Sequence, residues 1–260
     1  AYHFALVVNA LLVASIPLAL HRFMRQLWPD PGNDAAHVAA ALAATCYVPL
    51  LMLSQLAMSE SALACSFAWM LAYTTTALRT TRVTAALVAG ALAGFLFLVH
   101  ARGAMMAAPV LLVATAHCVV HRRSRRALAA LWLAALGVAL LHGVVESAAG
   151  LGRASSAGML RDMLARLAMP AHWKWPLFNF IGASTEAIVT SLGVAVVSAR
   201  AIVAELSNAW RERHGLSLRA AMLAAGALAM LASLGVTAAF FVPPERADQL
   251  AYGRYALPTL

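Results

Sequence analysis

Apolar runs of about 20 residues recur along the whole chain, and they constrain the fold more than any other feature of the sequence. The 260 residues are 63% hydrophobic and only 11% charged, whereas a soluble domain carries about 25% charged residues. Runs of this length can cross a bilayer as helices. They do not alternate apolar with polar residues as the strands of a membrane barrel would. The sequence therefore predicts an all-α integral membrane protein.

The runs predict about eight transmembrane helices in a single domain over residues 1–260. The predicted spans are Phe4–Leu20, Ala36–Leu53, Ser61–Leu78, Val83–Val99, Ala104–Val120, Ala127–Val145, Phe178–Ala201 and Leu218–Val242. The chain begins without Met, and its last residues resemble the start of another helix. We therefore expect a fragment of a longer multi-spanning chain. In the helix Val83–Val99, Gly90 and Gly94 lie on one face and predict close helix packing.

The net charge of +9 reflects topology more than a partner. Most Lys and Arg residues fall at every second connection between spans, and short loops rich in these residues stay cytoplasmic. This pattern predicts a multi-pass protein of the cell membrane, with some affinity of the basic side for anionic lipids. It argues against nucleic-acid binding. The Ala- and Arg-rich composition suits a GC-rich bacterium, and hence a bacterial plasma membrane. Most chemistry-capable residues lie in the predicted outer connections, so we expect the active side to face outward.

Glu60 is the acid that a membrane protein would least accommodate. It lies between the apolar runs Ala36–Leu56 and Ala62–Leu78, in a connection too short for a loose loop. We expect it at the outer membrane surface or inside the protein. An ionisable group at that depth is costly and usually functional. It could orient an arginine as an ion pair or act as a general base, and we favour the ion pair.

Two arginines on the predicted outer side are candidates for binding a phosphate, because the guanidinium group presents a planar fork of donors. Arg102 lies in a tight turn that Gly103 is expected to permit. Arg254 lies between Tyr252 and Tyr255, and together these three could hold a diphosphate and stack on a sugar. The simpler alternatives are a snorkelling Arg102 and an aromatic belt around Arg254.

The longest segment outside the predicted spans covers residues 146–176. Its middle has apolar residues at helical spacing opposite charged ones, which predicts an amphipathic helix in the outer interface. His172 and Lys174 follow, with a Trp on each side of Lys174. The segment is either an interfacial anchor or a lid in which Lys174 or His172 meets a phosphate.

The cysteines offer no metal site. Cys46, Cys65 and Cys118 lie inside apolar runs and are not spaced for zinc. We expect them to behave as small apolar side chains.

Several segments resemble the GT-C-type glycosyltransferases, integral membrane enzymes that use polyprenyl-phosphate sugars, including dolichyl-phosphate-mannose-protein mannosyltransferases. Leu56-Ala-Met-Ser-Glu-Ser-Ala-Leu63 is similar to the family segment in which Ser-Glu opens a helix at the outer face. Gly90–Arg102 resembles its Gly-rich helix ending in an arginine turn, although the usual Pro after the arginine is Gly103 here. Tyr252-Gly-Arg-Tyr255 resembles its late Arg-Tyr segment.

The resemblance implies transfer of a hexose or pentose from a polyprenyl-phosphate donor to an outer-face glycan or protein acceptor. A carboxylate would activate the acceptor, and positive groups or a divalent cation, Mg²⁺ or Mn²⁺, would stabilise the leaving phosphate. The family's catalytic acid lies in a first outer loop, which we expect upstream of Ala1. Glu60, Arg102 and Arg254 would then support binding. The alternatives are a transporter or flippase of lipid-linked or polyanionic material, an outer-face glycan ligase or polymerase, and a non-catalytic subunit.

Overall fold

The computed structural model describes residues 2–45, 59–99, 101–122, 125–148, 165, 177, 180–182, 184–185, 194–211 and 217–240. Within these ranges the regular structure is helical and contains no strand. The prediction of an all-α fold is therefore confirmed for this part of the chain. The α-helices are α1 (Tyr2–Leu27), α2 (Asp34–Thr45), α3 (Ser59–Thr80), α4 (Val83–Val99), α5 (Ala101–Val120), α6 (Arg125–Ala148), α7 (Val194–Arg211) and α8 (Leu218–Phe240).

In the part of the chain that the structure describes, five helices are long and apolar enough to cross a membrane, which supports a membrane protein. They are α1, α3, α5, α6 and α8. The sixth apolar helix, α4, has the bounds that the sequence predicted, and its 17 residues span about 26 Å at 1.5 Å per residue. That length is close to the hydrocarbon thickness of a bilayer, about 30 Å.

Several helices extend past the apolar runs that predicted them. The helix α1 continues seven residues beyond Leu20, to Leu27, and α7 continues beyond Ala201 to Arg211. The predicted ends at Leu20 and Ala201 were wrong, because a helix satisfies its own backbone hydrogen bonds in polar surroundings as well as in apolar ones. Arginines near such ends can extend toward water while their stems cover apolar surface.

Two predicted spans lie partly outside the described residues, and the predicted interfacial helix lies largely outside them. The helix α2 covers the first part of the span Ala36–Leu53, after a short 3-10 turn at Pro31–Asn33 that Asp30 caps through Gly32 N–H at 2.9 Å. The helix α7 covers the last part of Phe178–Ala201. In the segment 146–176, α6 continues to Ala148 and residue 165 is helical.

The helix α3 lies at the centre of the bundle. It packs against α1, α4, α5 and α8, and 83% of its membrane-length window is buried, more than in any other candidate span. Leu63 and Met70 of α3 join Leu96 of α4, Met106 of α5 and Met222 of α8 in one apolar core.

The most extensive helix pair is α4 with α6, and two glycines make it possible. A Cβ on Gly90 would overlap the carbonyl oxygen of Leu131, and a Cβ on Gly94 would lie 2.7 Å from the carbonyl oxygen of Ala135. Both contacts join residues 41 positions apart, so the two helices run parallel. The predicted packing role of these glycines is confirmed.

A second parallel pair, α1 with α3, is joined by polar side chains. Ser15 Oγ lies 3.1 Å from Cys65 Sγ and accepts a hydrogen bond from Trp69 Nε1 at 3.2 Å. Eleven residues further along, Gln26 Nε2 donates to Thr76 Oγ1 at 2.9 Å. Ser15–Cys65 and Gln26–Thr76 are both 50 positions apart, which fixes the direction of the pair.

These directions define two ends of the bundle. At the first, which we call the arginine end, α3 and α5 end while α4 and α6 begin. Residues from all four helices line one small cavity there: Thr74, Ala77, Leu78, Ala86, Cys118, Ala127, Leu128 and Leu131. At the opposite end, which we call the Glu60 end, α3 and α5 begin and α4 ends.

Candidate functional site

Glu60 lies in the first turn of α3 at the Glu60 end, and its side chain is only 6% exposed. A carboxylate in the first turn of a helix is stabilised by the helix dipole, by about 0.3–1 kcal/mol at an exposed site. Burial costs more than this unless the charge is compensated. Glu60 does take part in a polar or electrostatic interaction with a neighbour. The sequence left Glu60 either at the outer membrane surface or inside the protein, and the structure shows it buried at a helix start.

The start of α5 lies against the start of α3, and this contact brings Arg102 to the same end of the bundle as Glu60. A Cβ on Gly103 would overlap the carbonyl oxygen of Leu96 and would lie 3.1 Å from Leu63 Cδ2. Leu63 is one helical turn after Glu60, and Arg102 immediately precedes Gly103. Arg102 is thus the second residue of α5, and its side-chain placement lies outside the described part of the structure.

Gly103 has a different role from the one that the sequence suggested. We expected it to permit a turn, but α5 begins at Ala101 and includes Gly103. The absence of a side chain instead allows the first turn of α5 to approach the backbone of α4. Arg102 therefore belongs to a helix and not to a loop.

Ser61 is a polar residue of this end that the sequence analysis did not select. Its side chain is fully buried, and its Oγ has no hydrogen-bond partner among the described residues. An unsatisfied buried hydroxyl costs about 1–3 kcal/mol. Two adjacent polar side chains, Glu60 and Ser61, therefore lie buried at the start of α3. The only sequence signal was their adjacency at a helix start.

An apolar groove runs from the first turns of α5 along the side of the bundle. Its volume is about 380 Å³, within the range of about 300–1,000 Å³ that is typical of ligand sites. The groove begins next to Arg102 in sequence, because Ala104 and Ala107 line it together with Phe97 of α4. Further along, Trp132 and Ala139 of α6 complete the wall. Its lining is apolar, so it suits a hydrocarbon chain better than a polar ligand.

The other predicted site residues lie outside the described residues. They are His172, Lys174, Tyr252, Arg254 and Tyr255. Their assignment as substrate-binding or supporting residues stays a prediction.

The prediction of a divalent cation also stays open. The described residues contain no group of three or more His, Cys, Asp or Glu side chains that could hold a metal ion. Mg²⁺ takes oxygen ligands in octahedral geometry, often from one or two carboxylates plus substrate phosphates. Glu60 is one such carboxylate. Cys65 and Cys118 are buried among apolar residues, as predicted.

Comparison with known proteins adds no family to this picture. No family model, curated protein or solved structure matches the chain.

Proposed function

We propose that the protein is an integral membrane glycosyltransferase that moves a sugar from a polyprenyl-phosphate donor to an acceptor at the Glu60 end. The observation that carries the proposal is a conjunction at one end of the bundle. A buried carboxylate lies beside the helix start that holds Arg102, and an apolar groove leads away from that start. A polyprenyl phosphate has the matching parts, an anionic head and a long hydrocarbon tail.

In this proposal Arg102 binds the phosphate and the groove holds the first part of the tail. An arginine fork can contact two phosphate oxygens and stabilise the charge that develops as the sugar leaves. Arg254, with Tyr252 and Tyr255, would bind the sugar or the second face of the phosphate. Lys174 and His172 would cover the same end.

Glu60 is proposed as a positioning residue. Its carboxylate orients Arg102 or the substrate, since a buried charge beside an arginine is stabilised mainly by pairing with it. Acceptor activation by a carboxylate remains the family expectation, and we do not assign that role to Glu60. The cell-envelope setting and outward-facing active side belong to the same proposal.

The alternative of a transporter or flippase would need polar groups near mid-membrane on interrupted helices. The helices α1, α3 and α5 are continuous within the described ranges, even at Pro17 and Pro109. The hydroxyls of Thr75 and Thr76 in α3 bond back to the carbonyl groups of Leu71 and Ala72, at 2.8 Å each. The continuity of these helices favours the enzyme, and the hydroxyls of Thr75 and Thr76 are already used within their own helix.

Transfer assays test the proposal with the membrane protein produced at the full length that its gene encodes. Labelled polyprenyl-phosphate sugars are the donors, and cell-envelope glycan or protein fractions are the acceptors. Arg102→Ala should lower kcat/KM about 100-fold or more, by analogy with the loss of one donor to a transition-state oxyanion. If Arg102→Ala and Arg254→Ala both leave transfer unchanged in folded protein, the site is wrong.

Glu60 needs a readout that separates positioning from catalysis. Glu60→Gln keeps the side-chain shape but removes the charge, so it should raise KM for the donor more than it lowers kcat. Glu60→Asp should restore part of the activity. The matched control is Arg211→Ala, which removes an exposed arginine from α7 and should leave both constants unchanged. A collapse of kcat alone in Glu60→Gln would instead point to a general base.

A further inference from the structure

The described residues at and beside the two connections of the arginine end include four exposed arginines. Arg82 immediately precedes α4, while Arg122 follows α5 and Arg125 and Arg126 begin α6. Each connection contains a non-glycine residue with positive φ, Thr81 at 55° and Arg122 at 48°. Such a residue ends a helix abruptly, so α4 follows α3 after only two residues.

The parallel register of α4 and α6 places these connections side by side. Gly90 meets Leu131, and Gly94 meets Ala135, at a constant separation of 41 positions. Extended back by one turn, the same register brings Ala86 level with Ala127, and both residues line the small cavity at this end. Arg82 therefore lies at the level of the start of α6. The four arginines form one surface, which we call the arginine patch.

The arginine patch lacks counter-charges within the described residues. Arg25 at the same end lies 3.2 Å from Asp34, and Arg219 forms an ion pair with Glu205 at 2.5 Å. No comparable ion pair joins Arg82, Arg122, Arg125 or Arg126 to an acid in the ranges that the structure describes. The acids of this end are thus used elsewhere.

The positive potential of the patch comes from the guanidinium groups and not from a net helix dipole. The helices α4 and α6 begin here with partial positive charges at their N-termini, but α3 and α5 end here with partial negative charges at their C-termini. Arg125 and Arg126 in the first turn of α6 are nevertheless unfavourably placed for the helix itself. Free backbone N–H groups at helix starts, together with guanidinium groups, form an environment that is stabilised by an anion.

The position of the patch along the helices indicates which kind of anion it meets. Immediately beyond the arginines, α4 and α6 expose large apolar side chains, including Val83, Leu87 and Leu133, as helices facing hydrocarbon do. The patch therefore lies where lipid headgroups meet the protein. We propose that the arginine patch binds the phosphate groups of anionic lipid headgroups. The proposal is independent of glycosyl transfer, which we place at the opposite end.

Native mass spectrometry of the full protein in detergent tests this proposal, with phosphatidylglycerol and phosphatidylcholine as probes. The wild type should bind phosphatidylglycerol more tightly. Near a membrane surface each arginine contributes about a fivefold change in affinity for anionic lipid, so Arg122→Gln with Arg126→Gln should raise its Kd about 25-fold. The Kd of phosphatidylcholine should not change.

The matched control removes two other positive charges from the same end, by Arg25→Gln with Arg219→Gln. These arginines already have acidic partners, so the Kd of phosphatidylglycerol should stay close to that of the wild type. An equal rise in both double variants would overturn the proposal, because net charge alone would then explain binding. Equal affinity of the wild type for both lipids would overturn it as well. Thermal unfolding identifies any misfolded variant, and in that case the single variants Arg126→Gln and Arg25→Gln replace the pairs.

Discussion

Two of the parallel helix pairs in this bundle, α4 with α6 and α1 with α3, are joined by opposite means. Between α4 and α6, glycines remove side chains so that one backbone rests on the other. Between α1 and α3, side chains meet and form hydrogen bonds around Ser15 and Gln26. The α4–α6 interface depends on the close fit of two backbones, and the α1–α3 interface depends on polar contacts between side chains. The difference teaches that helices of similar composition can associate with very different tolerance to substitution.

The free energies involved indicate that the close fit of α4 on α6 is more sensitive to substitution than the hydrogen bonds between α1 and α3. An interhelical hydrogen bond in a membrane protein contributes about 0.6 kcal/mol on average, because the separated helices also find partners. Extra methyl groups in a close-packed interface cost about 1–3 kcal/mol and occasionally more. Loss of a single hydrogen bond should therefore weaken α1–α3 less than one added carbon weakens α4–α6.

The largest effect is expected for Gly90→Ala. The new Cβ would overlap the Leu131 carbonyl oxygen and would lie 2.9 Å from Ala134 Cβ, so the helices must separate. We expect a loss of about 3 kcal/mol in the free energy of unfolding. Denaturant titration in mixed micelles, followed by circular dichroism, measures it. A loss of stability no larger than that caused by Ser15→Ala in the α1–α3 interface would contradict the distinction between the two interfaces.

Gly94→Ala should have a smaller effect at the same interface. Its Cβ would lie 2.7 Å from both the Ala135 carbonyl oxygen and Val138 Cβ, a less severe overlap with the backbone of α6 than the one that Gly90→Ala would create. We expect a loss of about 1–2 kcal/mol in the same titration. An effect larger than that of Gly90→Ala would contradict the conclusion that Gly90 lies closer than Gly94 to the backbone of α6.

Ser15→Ala tests the polar interface. It removes the acceptor of the Trp69 indole N–H and the contact with Cys65, and the expected loss is about 0.6–1.7 kcal/mol. A double-mutant cycle of Gln26→Leu and Thr76→Val should give a coupling energy near the lower value. Coupling above the Gly90→Ala effect would reverse the comparison.

Gly137→Ala gives the smallest effect and serves as the glycine control. Apart from the backbone of α6 itself, none of the described residues has an atom within 4 Å of a Cβ at this position, and Ala is the better helix former by up to about 1 kcal/mol. The free energy of unfolding should stay unchanged or rise slightly. Destabilisation comparable with Gly94→Ala would mean that glycine matters along α6 for a reason other than packing.

Local features of the fold could be predicted from the sequence, whereas helix pairing could not. The bounds of α4 follow from an apolar run that charges or polar residues interrupt at both ends. Gly90 and Gly94 indicated a packing face, but nothing in them identifies α6 as the partner, since many Ala-rich faces would accept two glycines. The ends of α1 and α7 were misplaced because hydropathy marks the apolar layer and not the last hydrogen bond of a helix.

In the candidate site, too, local features could be predicted from the sequence and contacts between helices could not. Glu60 could be located at the start of a buried helix because an acid between two apolar runs has few other places to lie. Ser61 could not be selected, because a serine becomes informative only when its hydroxyl is known to be buried. The contact that brings Arg102 near Glu60 is made by Gly103 across three helices, which no local spacing encodes.

Contacting residues of α4 and α6 are 41 positions apart, and this register also depends on how the chain is inserted into a membrane. For α4 and α6 to be parallel in a membrane, the helix between them in sequence, α5, must cross the bilayer once in the opposite direction. If α5 failed to cross, α4 and α6 would be oriented oppositely, and Gly90 could not align with Leu131 in this register. In a membrane-spanning bundle the glycine interface therefore closes only when the helices have crossed the bilayer the right number of times, which links correct insertion to the close packing of α4 on α6.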